Sequence, residues 1–304
     1  MSERFGVGVA VLSCSFGAGA AVATRYLIGR ADPFTLAAIR FGGGFVCVLP
    51  LALLLRAQWP RRADWPAVAG LGFMFYALFF VFYNVALSLT TVARGTLALS
   101  TLPMMTMVVG ALLGIEPLST RKTAGVLIAM SGVAMALASG VRNAPPGAWR
   151  GDLVMAGATL CMAFYSVWSR PFIKRSSALG FLTAGMGAGG IALVVFSLLS
   201  GDATRIAAFT LQQGIAAIYL AAGGGALAFF LWVYALQYAS PTRVTNTMTV
   251  NPLIASLSAA VILDEPITFN LIAGLTAVFA GLWIATSERP PETAASRGAS
   301  SRAD

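Results

Sequence analysis

Ten apolar stretches follow one another through this chain with only short links between them, each close to the roughly 20 residues that carry an α-helix across a bilayer. The first half contains Phe5–Ile28, Pro33–Leu55, Trp65–Leu89, Val92–Ile115 and Thr120–Ser139. Asp152–Ile173, Ala178–Leu199, Leu211–Ala239, Thr242–Leu263 and Phe269–Ser287 make up the second. Within hydrocarbon only helices and closed barrels satisfy their backbone groups, and runs of this length read as helices. Charged residues are 10% of the 304 and hydrophobic ones 58%, so a water-soluble surface could not be assembled from them. The prediction is an all-α integral membrane protein of ten transmembrane helices. Residues 288–304, ERPPETAASRGASSRAD, are too polar to fold alone and are expected to be disordered.

A net charge of +9 would suit nucleic acid if it were gathered on one surface, but it is spread along the links. With the N-terminus in the cytoplasm, 13 basic residues fall in inner segments and six in outer ones, and Arg40 is left within a span. That bias predicts both termini inside. The absence of histidine removes the commonest general base and metal ligand. Cys14, Cys47 and Cys161 all sit in apolar runs and are odd in number, which gives no support for disulfides. No cofactor or metal is expected.

The chain also repeats itself. At an offset of 149, Ala86–Ala136 aligns with Ala235–Ala285 without a gap, and 12 of the 51 positions are identical. The informative matches are Arg94/Arg243, Thr96/Thr245, Pro103/Pro252, Glu116/Glu265, Pro117/Pro266, Gly125/Gly274 and Gly132/Gly281. The front parts match more weakly at an offset of 145, through Gly6/Gly151, Arg25/Arg170 and Arg30/Arg175. Five spans per copy is an odd number, so the second copy must lie upside down relative to the first. Inverted repeats are the usual construction of alternating-access carriers, with substrate held between the halves. The AGAAVAT end of the first span imitates a signal-peptide cleavage site, yet its removal would leave four helices facing five.

Pro103 and Pro252 fall near the middle of the fourth and ninth predicted spans. An interior proline kinks a helix and frees the carbonyl four residues earlier, here those of Leu99 and Met248. Such carbonyls are expected to face protein or a wet cavity, although kinks can also serve packing alone. Glu116 and Glu265 precede Ser119 and Thr268, which suit the N-caps of the following helices. The glutamates read as turn residues, with gating or proton coupling as the second possibility.

The double P-x12-E-P pattern, with glycine nine residues after each glutamate, resembles the EamA-type repeat of the drug/metabolite transporter superfamily. PFTLAAIRF in the second span and GGGALAFFLWVYAL in the eighth are similar to it as well. The first span differs, with Cys14-Ser15-Phe16-Gly17 where family members often carry a Trp-Gly-Ser-like start. The resemblance implies two EamA-like five-helix repeats, 5–139 and 152–287, followed by a cytoplasmic tail at 288–304. It also implies transport of small metabolites, often amino-acid efflux, across a bacterial cytoplasmic membrane.

A substrate between the halves would meet hydroxyls, amides and rings. Candidates are Tyr83, Asn84, Thr96 and Ser100 in the third and fourth spans, Tyr165 and Trp168 in the sixth, Phe229 and Trp232 in the eighth, and Asn246, Thr249 and Asn251 in the ninth. Such side chains also tie membrane helices together, at roughly 0.6–2 kcal/mol per hydrogen bond. Arg40 stands apart, because a charge about 10 Å into a span is costly unless paired or wet. It could snorkel, pair with Asp32 or Asp152, or meet a substrate carboxylate. The clusters Gly42–Gly44, Gly185–Gly190 and Gly223–Gly225 imply close helix packing.

A membrane-embedded enzyme would need a nucleophile with a base or paired carboxylates, and that constellation is missing. A channel would need rings of charge from several subunits. The expected function is therefore a secondary transporter exporting small neutral or zwitterionic metabolites such as amino acids. A multidrug exporter of lipophilic cations is the rival. The expected partners are the substrate and the lipid bilayer, without nucleic acid.

Overall fold

Backbone groups that leave water must bond to one another, and the apolar runs meet that demand as helices. The computed structural model describes residues 3–27, 30–90, 98–136, 146–200, 206–250 and 269–286, and every regular element within them is helical. Five helical stretches are long and apolar enough to cross a membrane: Phe34–Leu54, Arg62–Tyr83, Trp149–Arg175, Ala178–Leu199 and Leu211–Tyr238. Glu3–Leu27 precedes them, and Leu102–Leu112, Thr120–Ala136, Pro241–Asn246 and Phe269–Thr286 supply shorter pieces. Leu54, Leu112, Leu199 and Leu211 are 80%, 81%, 79% and 82% exposed. Apolar surface on that scale calls for lipid rather than water.

The fourth span differs from its prediction. Instead of one helix kinked at its centre, the chain turns at Ser100 and Thr101 and starts a new helix at Leu102, so that Pro103 lies in the first turn. The reason is local: a first-turn proline forgoes an N–H that would be unbonded anyway. Thr101 Oγ1 donates to the Ala98 carbonyl at 2.6 Å and holds the turn. In the second copy the chain narrows to a 3-10 turn at Thr247–Val250, the residues 149 beyond 98–101. Pro252 and Glu265 lie outside the described residues.

Helix-to-helix contacts recur in matched pairs. A Cβ on Gly125 would come within 2.6 Å of the Gly281 carbonyl oxygen, and one on Gly132 within 2.8 Å of that of Gly274. Contact positions rise along one helix as they fall along the other, so Thr120–Ala136 and Phe269–Thr286 pack antiparallel. Gly125 and Gly132 are themselves the residues 149 before Gly274 and Gly281, so each glycine meets the equivalent of the other. The first helix repeats the pattern: Gly6 abuts Ala239, and Gly151 abuts Thr90, the residue 149 before Ala239.

Three long helices carry a π-helical turn, at Ala38–Gly42, Phe73–Phe79 and Ala222–Leu227. The second and third begin 149 residues apart (222 − 73). Wider turns of this kind realign side chains and loosen the backbone bonding of a helix, and they recur at functional sites.

Candidate functional site: an arginine among rings

Two of the π-helical turns, Ala38–Gly42 and Ala222–Leu227, meet at Arg40, and Phe80, the residue directly after the turn Phe73–Phe79, reaches it as well. Gly225 makes the approach possible, since a Cβ there would overlap the Arg40 carbonyl oxygen. On the side-chain end, Arg40 Nε donates to the Gly224 carbonyl at 3.2 Å. Its guanidinium carbon lies 5.4, 5.6 and 5.5 Å from the ring centres of Phe41, Phe80 and Phe229. Phe80 and Phe229 are 149 residues apart, so one cation stands against equivalent rings from the two copies. Attraction between a cation and ring faces, about 0.5–2 kcal/mol each, offsets part of the cost of holding the charge away from water.

Below this point the rings continue. Phe229 contacts Phe75 and Tyr76, each at 5.5 Å between centres. Tyr165 stacks on Phe75 at 4.3 Å and shares a 3.1 Å hydrogen bond with the Tyr76 hydroxyl. Tyr83 packs on Phe79 and Phe80, and its phenol and that of Tyr219 lie within electrostatic range of Arg40. Four of the predicted site residues, Arg40, Tyr83, Tyr165 and Phe229, thus belong to one cluster. The sequence reading missed Phe41, Phe75, Tyr76, Phe79 and Phe80, although the offset of 149 applied to Phe229 points to Phe80.

The other candidates are placed differently. Trp168 is 53% exposed and shares the outward stripe of Leu153 and Leu160, so it faces away from the cluster. Near the end of its helix it suits the membrane interface, where tryptophan rings gather. Trp232 is buried, and its indole N–H has no acceptor among the described residues. Ser100 lies buried in the break before Leu102, and Asn246 is buried at the end of its short helix. Thr249 belongs to the 3-10 turn and Asn84 to the helix Phe80–Leu89, with their side chains outside the described set. Thr96 and Asn251 fall entirely outside it.

Acids among the described residues bond to groups other than Arg40. Asp32 caps its own helix by accepting from Phe34 N at 2.8 Å and Thr35 N at 3.2 Å. Asp152 accepts from Thr90 Oγ1 at 2.9 Å. Glu116 is buried against the helix Pro241–Asn246, where it accepts from Thr242 N at 3.3 Å and Thr242 Oγ1 at 2.7 Å, with Lys122 Nζ 3.6 Å away. It therefore braces a helix of the other copy rather than only its own turn. Glu3 reaches the same helix, accepting from Ser240 N at 3.1 Å and pairing with Arg243.

The model of the EamA-like transporter family matches twice along this sequence, over residues 4–138 and 149–287. The chain belongs to the EamA-like transporter family. Its relatives in that family include an uncharacterized transporter of Archaeoglobus fulgidus, 25% identical over 90% of this chain and 94% of the relative. The uncharacterized inner membrane transporter YedA of Escherichia coli is 28% identical over 74% of this chain and 72% of its own. The uncharacterized transporter YdfC of Bacillus subtilis is 24% identical over 81% and 79%. A crystal structure of another protein, 21% identical, superposes with a TM-score of 0.77 over 94% of this chain and 98% of that one, which shows a shared fold. This EamA-like chain is thus an integral membrane protein of a transporter family.

Proposed function

We propose that this EamA-like protein is a secondary transporter that exports small neutral or zwitterionic metabolites, amino acids among them, by alternating access. Its two halves, 5–139 and 152–287, act as inverted repeats that rock about the Arg40 site. What carries this reading is that Phe80 and Phe229, equivalent rings of the two copies, stand against the same guanidinium. A centre shared by both halves is where a substrate can be exposed first to one side and then to the other. Support also comes from the matched glycine contacts and from the family model fitting the chain twice. The break before Leu102 and the 3-10 turn at Thr247–Val250 supply irregular backbone of the kind that membrane proteins keep for cavities.

The cellular setting follows from charge: the excess of basic residues in one set of links orients both termini to the cytoplasm. The inner-membrane relative YedA supports a bacterial cytoplasmic membrane. A lipophilic cation, the cargo of a multidrug exporter, would meet like charge at Arg40 and no carboxylate among the described residues around it. Cells expressing the protein are expected to gain resistance to toxic amino-acid analogues but not to cationic dyes. Dye resistance without any effect on amino-acid analogues would replace this reading with multidrug export.

A further inference from the structure

Resting on the carrier reading above, we infer that Arg40 grips the carboxylate of the substrate end-on, and that the transported class is defined by one carboxylate on an apolar body, with an amino group dispensable. A guanidinium has five N–H donors in a fixed planar fork. In Arg40 only Nε–H has an acceptor among the described residues, the Gly224 carbonyl. That bond and the surrounding rings fix the plane of the fork, leaving the two terminal nitrogens with no protein acceptor there. Their parallel N–H bonds match the two oxygens of a carboxylate, the pairing that arginine makes best. Arg40 is also partly exposed rather than sealed into the packing, so a ligand can reach it.

The surroundings decide what else the site reads. Phe80 and Phe229, both partly exposed, offer apolar surface to the body of a ligand, and the buried ring of Phe41 backs them. For an ammonium group the site offers phenols at Tyr83 and Tyr219 but no carboxylate among the described residues, where Asp32 caps its helix and Glu116 braces another. A second anionic group would find no second cation among the described residues near Arg40. These features select a monocarboxylate, and they make a zwitterion acceptable through its carboxylate alone.

The test uses three compounds of one branched skeleton: leucine, 4-methylpentanoate, which lacks the amino group, and isopentylamine, which lacks the carboxylate. Binding to the purified full-length protein is measured by calorimetry, and exchange into vesicles is followed in parallel. The inference expects 4-methylpentanoate to bind within about tenfold of leucine or tighter, and isopentylamine to be weaker by about tenfold or more, since the charged hydrogen bonds to Arg40 are lost. Arg40→Gln should weaken both carboxylates about tenfold or more, with partial recovery in Arg40→Lys and thermal unfolding confirming that the variants fold. If leucine or another panel compound is exchanged but isopentylamine binds equally, or Arg40→Gln changes nothing, the head-group inference is wrong while the carrier reading stands. If no compound binds or moves, both fail. The wild-type series decides the matter even if Arg40→Gln does not fold.

Discussion

The carboxylate of Glu116 accepts the hydroxyl of Thr242 at 2.7 Å, which ties the end of a helix in the first copy to the start of a helix in the second. At a sequence separation of 126, the two meet only through the tertiary fold. Lys122 and the Thr242 N–H complete the surroundings of a side chain that is 5% exposed. Removing the carboxylate strands a buried cation, an N–H and a hydroxyl at once. Glu116→Ala should therefore destabilise by about 3 kcal/mol, whereas Glu116→Gln keeps an acceptor and should lose less than half of that. Thermal unfolding in detergent measures the order. Equal loss in the two variants would mean that the carboxylate bonds are not what holds this junction.

Gly225 and Gly70 make a matched pair of tests. A methyl group at 225 collides with the Arg40 backbone, while nothing lies within 4 Å of one at 70. Gly225→Ala should cost about 1–3 kcal/mol and displace Arg40, lowering transport, and Gly70→Ala should leave both unchanged or raise stability slightly. Comparison of melting temperature and transport rate in the two variants distinguishes close approach from a general intolerance of added bulk.

Much of this could be read from sequence. The repeat offset, the glycine clusters and the anomaly of Arg40 all pointed to places where the structure concentrates contacts. The rings of Phe41, Phe75 and Tyr76 did not stand out, because aromatic residues are common on apolar helices and nothing in their spacing separates an inward ring from a lipid-facing one. Trp168 shows the same ambiguity from the other side: three residues after Tyr165, it ends up outside. The break at Ser100 and Thr101 was hidden because hydropathy continues through it, and only the bonding of Thr101 to Ala98 marks the turn. Glu116 looked like a turn residue because its partner, Thr242, is remote in the chain.

The exposure of Trp168 makes a separate prediction. Trp168→Ala should leave transport within about twofold of the parent, since surface changes rarely cost more than about 0.5 kcal/mol. Phe229→Ala, which removes a ring shared by Arg40, Phe41, Phe75 and Tyr76, should reduce transport by at least about tenfold and cost about 3 kcal/mol or more. Initial rates in vesicles, normalised to folded protein, provide the comparison. A larger loss from Trp168→Ala would move the substrate path to the outer face of the helix Trp149–Arg175.

Orientation can be checked by chemistry from one side. Asp64 pairs with Arg175 at 3.1 Å, which brings the links near Arg61 and Lys174 to one face of the protein. In a background without Cys14, Cys47 and Cys161, a cysteine at Arg61 should resist an impermeant thiol reagent added to intact cells, and one at Arg142 should react. Labelling at Arg61 from outside would reverse the proposed topology.

Solute counterflow in vesicles tests the central claim, that two halves carry a small metabolite by alternating access at Arg40. Vesicles containing the purified protein are loaded with an unlabelled panel of neutral and zwitterionic metabolites, and each labelled compound is then added outside at low concentration. An alternating-access carrier predicts a transient accumulation above equilibrium for at least one panel member, abolished or reduced about tenfold or more in Arg40→Gln. Plain equilibration without overshoot, or overshoot that appears only with cationic dyes, would contradict the account.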